Sequence, residues 1–167
     1  MDFSLTDEQK MIQQTVRRFV DRELMPLENE VLQSEGKYPT GIEPGLYHDL
    51  QMKAREMGFW GINTPEEYGG ANLGAVMSAL IIMELGRTLV PFTFGGAADN
   101  ILYHGNEQQK AEYLIPTIEG TRNSCFALTE PGAGSDPSAI RATAFKDGND
   151  WVINGQKVFI TGGNEAG

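Results

Sequence analysis

Apolar residues recur at helical spacing through residues 7–114, and alternate only further on, so the chain reads as a helical part followed by a strand-rich part. Ile12, Val16, Phe19 and Val20 share one face behind Thr6 and Gln9, a pair with capping-box spacing. A helix is therefore expected over residues 7–24, stopping before Pro26. Residues 28–40 hold no sustained period and contain Gly36 and Pro39; they read as a loop with a ragged helical start. Leu46, Leu50, Ala54 and Met57 mark a second helix, with Pro44 in its first turn and Gly58 as the left-handed residue after its end. Trp60 reads as a core plug under the loop that leads to the turn cluster of residues 65–70, and its indole N–H needs a partner. In residues 74–88, Val76, Met77, Leu80, Ile81, Met83 and Leu85 leave little polar face, so this helix is expected to be buried on most sides. Glu84 on such a helix must be paired, and Arg87, three residues on, is the available partner.

The small residues Gly95-Gly96-Ala97-Ala98 allow a close approach, read here as tight helix packing within an element that Gly105 closes. Asn106 and Gln109 cap a short helix to about Leu114, which Pro116 limits. After Asp136 the pattern becomes that of a meander, to which residues 124–128 add an earlier strand. Residues 124–128, 142–146, 151–153 and 157–161 read as four strands, with a turn at residues 147–150 and a tight turn at Asn154-Gly155 making two successive hairpins. The sheet shows no sign of closing by Gly167, which leaves an open edge.

Charge and composition narrow the function classes. With 23 acidic against 13 basic side chains the formal net charge is −10, which argues against nucleic acid or an anionic membrane as partner. The single cysteine, Cys125, excludes an internal disulfide and fits a reducing compartment; in its strand pattern it reads as packing. The first ten residues have neither the apolar core of a secretory signal nor the Arg-rich character of a transit peptide, and the apolar run of residues 79–83 is too short to span a bilayer. A cytoplasmic protein is expected. His48 and His104 do not look catalytic, and no histidines and carboxylates have metal-ligand spacing, so no metal is expected.

The chemistry concentrates in residues 124–136, where a β-compatible run ends in Thr129 and Pro131, Gly132 and Gly134 force an exposed loop. Successive backbone N–H groups in such a loop can converge on an anion such as a pyrophosphate, with the Ser135 hydroxyl as a further donor. The dinucleotide fingerprint of the Rossmann kind fails, because residue 137 is Pro and no βαβ unit surrounds the loop.

Thr129-Glu130-Pro131-Gly132-Ala133-Gly134-Ser135-Asp136, followed by Ile153-Asn154-Gly155-Gln156-Lys157 and Ile160-Thr161, resembles the acyl-CoA dehydrogenase family, flavoproteins that oxidise acyl-CoA thioesters. Pro65-Glu66-Glu67-Tyr68-Gly69-Gly70, Met83-Glu84-Leu85-Gly86 and Gly105-Asn106-Glu107-Gln108-Gln109-Lys110 add to it, so the resemblance covers essentially the whole chain. The family's large C-terminal helical domain would begin beyond Gly167, and the chain reads as a fragment. With the resemblance, the expected fold class is α+β and mostly α: an orthogonal helical bundle over residues 1–121, then an incomplete antiparallel β-barrel domain over residues 122–167.

The resemblance implies FAD as cofactor, with Phe126 and Leu128 presenting strand backbone to the flavin edge and Thr129 bonding its pyrimidine side. It implies that Gly134 and Ser135 lie by the pyrophosphate and the CoA ester, so that Ser135 is also the substrate-binding residue, and that Ile160 and Thr161 reach the hydride-accepting nitrogen. Phe159 stands where the family usually has Trp, offering less area and no N–H, which bears on the electron acceptor. Trp151 belongs to the preceding strand and reads as barrel core. The family's catalytic base is a glutamate of its C-terminal domain, so no catalytic residue is assigned in this chain, and Glu130 reads as structural. The implied activity is α,β-dehydrogenation of acyl-CoA, with the fragment itself inactive, electron-transfer flavoprotein or a similar acceptor as partner, and a homotetramer. The region around Gly95 borders the acyl pocket in the family, which raises a roomy pocket as an expectation. An acyl-CoA oxidase or flavin monooxygenase on the same scaffold, and a non-catalytic acyl- or partner-binding helical module, are the alternatives.

Overall fold

The capping box at the start of the chain forms: Gln9 N donates to Thr6 Oγ1 at 3.2 Å, and Thr6 N donates to Gln9 Oε1 at 3.0 Å. It opens α1 (Asp7–Phe19), whose Val16 and Phe19 are buried. The computed structural model describes residues 4–34, 36–38 and 41–167; Pro39 and Thr40, part of the stretch read as a loop, lie outside the described residues. The chain forms two compact units, Met1–Ala97 and Ala98–Gly167.

The first helix does not stop before Pro26. It widens into a π turn (Val20–Leu24), passes through a 3₁₀ turn (Met25–Leu27) and resumes as α2 (Glu28–Gln33). A proline inside an α-helix clashes with the carbonyl four residues back. The wider i→i+5 turn just before Pro26 moves that carbonyl out of the α ladder and lets the chain continue. In the first unit α3 (Pro44–Glu56) follows the expected bounds closely, with Gly58 left-handed after it at φ +86. Val16, Phe19, Val20, Leu24, Leu50, Ala54, Phe59 and Ile81 form the centre of its core.

Two expectations in this unit are corrected. The helix α4 (Gly74–Leu85) is not buried on most sides: Met77, Ser78, Leu80, Ile81 and Glu84 are, while Val76, Ile82 and Met83 are 60%, 63% and 65% exposed. Both faces are apolar, and among the described residues only the inner one is covered. Residues 92–98 are not helical either. Val90, Phe92 and Phe94 point inward and Pro91 and Thr93 outward, a period of two that drives two phenyl rings into the core. Phe94 stacks on Phe59 with centroids 5.0 Å apart, and Phe92 lies 5.5 Å from Phe19. The small residues that follow make room for Trp60, not for a helix. A Cβ on Gly95 would collide with the indole ring, and one on Gly96, at φ +86, would lie 2.6 Å from Trp60 Cδ1. The patch expected to border a roomy pocket is thus filled by Trp60.

In the second unit a 3₁₀ turn (Asn100–His104) precedes another capping box, Gln109 N donating to Asn106 Oδ1 at 2.8 Å. It opens α5 (Glu107–Gln109), a π turn (Lys110–Leu114) and α6 (Ile115–Glu119). Pro116 does not limit this helix; Gly120, left-handed at φ +78, does. The solution at Pro26 recurs, and here the carbonyl four residues before the proline, Glu112 O, accepts from Arg122 Nη1 at 3.2 Å.

The strand-rich part is smaller than expected. Among the described residues one antiparallel pair forms, β1 (Thr143–Asp147) with β2 (Asp150–Asn154), in register from Thr143↔Asn154 to Asp147↔Asp150. Gly148 at φ +59 supplies the positive φ that a two-residue hairpin loop requires. Residues 124–128 and 157–161 are not strands, so there is no second hairpin. A Cβ at Gly155 would lie 2.6 Å from Ala142 Cβ, and the chain passes over Ala142 towards Glu130 without folding back on β2. The barrel is accordingly a two-stranded sheet, and Trp151, expected as its core, is 65% exposed. What remains of the expected class is a mostly helical N-terminal part followed by a small antiparallel sheet.

Candidate functional site

Every residue singled out for binding lies in the second unit, on the loops around the turn at Glu130. That turn closes on itself: Glu130 N donates to Ala133 O at 2.8 Å and Ala133 N donates to Glu130 O at 3.2 Å. Pro131 and Gly132 sit at its exposed apex, and Ala133 is buried beneath. The Glu130 side chain turns inward, with Oε2 accepting from Arg141 N at 2.7 Å and Oε1 from Ala142 N at 2.9 Å and Lys157 Nζ at 2.9 Å. These donors, Arg141 N first, hold its pKa at about 2 against an ordinary 4.5. The carboxylate is held as an ionised anchor well below the ordinary carboxylate range, and the structural reading of Glu130 agrees with this geometry.

Lys157 reaches further. Its Nζ also donates to Leu128 O at 2.9 Å, and the next backbone group, Val158 N, donates to Thr129 O at 3.0 Å. Two loops 27 to 29 residues apart are thereby laid side by side, Leu128 and Thr129 on one and residues 157–161 on the other. Thr129 is half-buried, Leu128 is 38% exposed and Phe126 61% exposed. Across from them Phe159 is 94% exposed and holds φ +56, a left-handed conformation uncommon for a bulky side chain. Ile160 is half-buried and Thr161 exposed, and Gly163 N donates to Ile160 O at 3.1 Å to close the turn behind them.

Gly134 and Ser135 are on the far limb of the Glu130 turn, both exposed. Apart from the adjoining residues, no atom lies within 4 Å of the Cβ position of Gly132 or Gly134. Among the described residues the N–H groups of Gly132, Gly134 and Ser135 have no protein acceptor. Next to them Asp136 keeps its charge: its Oδ1 accepts from Ser138 Oγ at 2.7 Å and Ser138 N at 2.9 Å, which lowers its pKa. No cluster of three or more His, Cys, Asp or Glu side chains suited to a metal ion exists among the described residues. Sequence reasoning missed Lys157 as a residue with a task. Its signals were its place at the end of the Ile153–Lys157 motif and a cation inside an otherwise uncharged loop, but its partners lie too far along the chain for any spacing rule to find.

Comparison with known proteins decides the family. The model for the acyl-CoA dehydrogenase N-terminal domain matches residues 6–121, and that for the acyl-CoA dehydrogenase middle domain matches residues 125–167. The chain belongs to the acyl-CoA dehydrogenase family. It is 39% identical to (R)-benzylsuccinyl-CoA dehydrogenase of Thauera aromatica, over 96% of this chain and 43% of that protein. It is 37% identical to a short-chain specific acyl-CoA dehydrogenase of Clostridium acetobutylicum, over 99% of this chain and 43% of that protein. Among solved structures, a glutaryl-CoA dehydrogenase from Mycobacterium smegmatis in complex with FADH2 superposes with a TM-score of 0.72 at 34% identity, covering 97% of this chain and 41% of that one. The chain thus spans about two fifths of the length of the curated relatives it matches. No helix among its described residues is long and apolar enough to cross a membrane.

Proposed function

We propose that this chain carries part of the flavin site of an FAD-dependent acyl-CoA dehydrogenase that acts by α,β-dehydrogenation of an acyl-CoA thioester. FAD supplies the hydride acceptor, and the chain's own residues bind and orient it. In this reading Leu128 and Thr129 offer backbone and hydroxyl groups to the pyrimidine edge, and Phe126 adds apolar surface beside them. Phe159 covers the ring from the other loop, and Ile160 and Thr161 reach the hydride-accepting nitrogen. Gly134 and Ser135 give their N–H groups to the pyrophosphate, and Ser135 also meets the CoA ester.

The observation that carries the reading is the pairing of the two loops through Thr129 O with Val158 N and Leu128 O with Lys157 Nζ. The donor set suits the ligand. Three N–H groups without acceptors suit a pyrophosphate, the nearby Glu130 carboxylate is paired with Lys157, and exposed phenyl rings suit an isoalloxazine. The proton-abstracting base is assigned to no residue of this chain, and electrons leave to an electron-transferring flavoprotein or a similar acceptor.

Titrating the protein with FAD and following flavin fluorescence tests the proposal. Saturable quenching is expected, with Thr161→Ala weakening it about ten-fold, the effect of losing roughly 1.4 kcal/mol of hydrogen bonding. Fluorescence that never departs from that of free FAD would defeat the assignment.

A further inference from the structure

The two loops of the flavin site are joined by very little backbone. Among the described residues a single backbone hydrogen bond, Val158 N to Thr129 O, connects them, and neither loop is part of a ladder. One rung does not fix register, because a strand can pivot about it or slip along it. Apolar packing adds little, since Phe126, Leu128 and Phe159 are exposed and Val158 and Ile160 only half-buried. What ties the loops at a second and third point is Lys157, whose ammonium reaches both Leu128 O and Glu130 Oε1 at 2.9 Å. Glu130 is in turn anchored to Arg141 N and Ala142 N, directly before β1. The side chains of the pair are only 27% and 6% exposed, so solvent screens this contact less than an ordinary surface ion pair.

We infer that Lys157 and Glu130 are positioning residues for the flavin: their ion pair sets the spacing between the Leu128–Thr129 backbone and the Phe159–Thr161 loop, and with it flavin affinity and reduction potential. The inference rests on the flavin reading above and adds two residues that touch no part of the ligand. A gap between two sets of contacts to one rigid ring system must be held to a fraction of an ångström for both sets to engage. The Lys157 bond to Leu128 O does this at the carbonyl next to Thr129. Glu130, locked by its two amide donors, prevents the lysine from swinging away.

The test uses three variants of the protein: Lys157→Met, which keeps the aliphatic stem; Lys157→Arg, which keeps the charge; and Glu130→Gln, which keeps an acceptor for the amides. For each, the FAD dissociation constant, the reduction potential of the bound flavin and the thermal midpoint are measured. Expected are a rise of about ten-fold in the dissociation constant and a displaced potential for Lys157→Met, with most of both restored in Lys157→Arg. Glu130→Gln is expected to weaken binding several-fold, and it decides the matter if Lys157→Met does not fold. Folded Lys157→Met or Glu130→Gln protein with unchanged affinity and potential, whatever its thermal midpoint, would overturn the inference and reduce the pair to scaffolding. Failure of the unaltered protein to bind FAD would instead remove the flavin reading, and the inference with it.

Discussion

Glu84 shows what a single residue can reveal. A carboxylate on a helix this apolar must find a cation, and it does: Arg17 Nε and Nη2 donate to its two oxygens at 2.9 and 2.7 Å. Arg87 Nη1, the partner expected from spacing, adds only a 3.4 Å contact and spends its better bond on Asp21 at 2.9 Å. That Glu84 is paired was legible from desolvation alone; that Arg17 does the pairing was not, because 67 residues separate them and only the packing of α1 on α4 brings them together. Arg17 lowers the Glu84 pKa. Glu84→Gln keeps the shape and discards the charge-assisted part of the bidentate contact, and is expected to lower stability by about 2 kcal/mol in urea denaturation. Trp60 teaches a similar lesson. Its role as a plug was readable, but the glycines it needs, Gly95 and Gly96, were read as a place where a helix packs.

At the scale of elements, capping residues were the most readable feature, since a cap is a local contact that the sequence spells out in four positions. Both capping boxes form, and Gly58 ends α3 as its spacing implied. Prolines were over-read. Pro26 and Pro116 each follow a five-residue π turn, so a residue that breaks a regular α-helix here only marks where the helix changes pitch. For α4 the sequence could show that all faces are apolar but not which face the fold covers. Neighbouring isoleucines, one buried and one exposed, make the difference measurable. Ile81, fully buried, is expected to cost about 2–5 kcal/mol on replacement by Ala. Ile82→Lys, at a position 63% exposed, is expected to change stability by less than about 0.5 kcal/mol in the same denaturation series. A large loss for Ile82→Lys would show that the outer face is covered in solution.

Over the whole molecule, the two units are held in different ways. The first closes on aromatic rings and aliphatic side chains, whereas the second has few buried apolar residues, chiefly Leu114, Ile118 and Ala133, and relies on Glu130. The strand count was the least legible feature, because residues 124–128 and 157–161 carry strand composition but pair through side chains and one backbone bond. Such pairing is set by where Lys157 and Glu130 meet, which no periodicity encodes. The reliance on Glu130 gives a pH signature. Its folded pKa of about 2 lies below the ordinary 4.5, so its stabilisation is complete above pH 4.5, declines as pH falls and is lost on passing through about 2. Amide chemical shifts of Arg141 and Ala142 are expected to titrate with a midpoint near 2; a midpoint near 4.5 would show that the carboxylate is not held. Phe159 points the other way. Its ring is 94% exposed and its backbone sits at φ +56, so Phe159→Gly is expected to leave stability unchanged or raise it by up to about 1 kcal/mol by urea denaturation, while FAD binds less well. Folding of this chain gains little from that benzyl group and tolerates a left-handed residue to display it, a local cost that the proposed role of a guest's cover would account for.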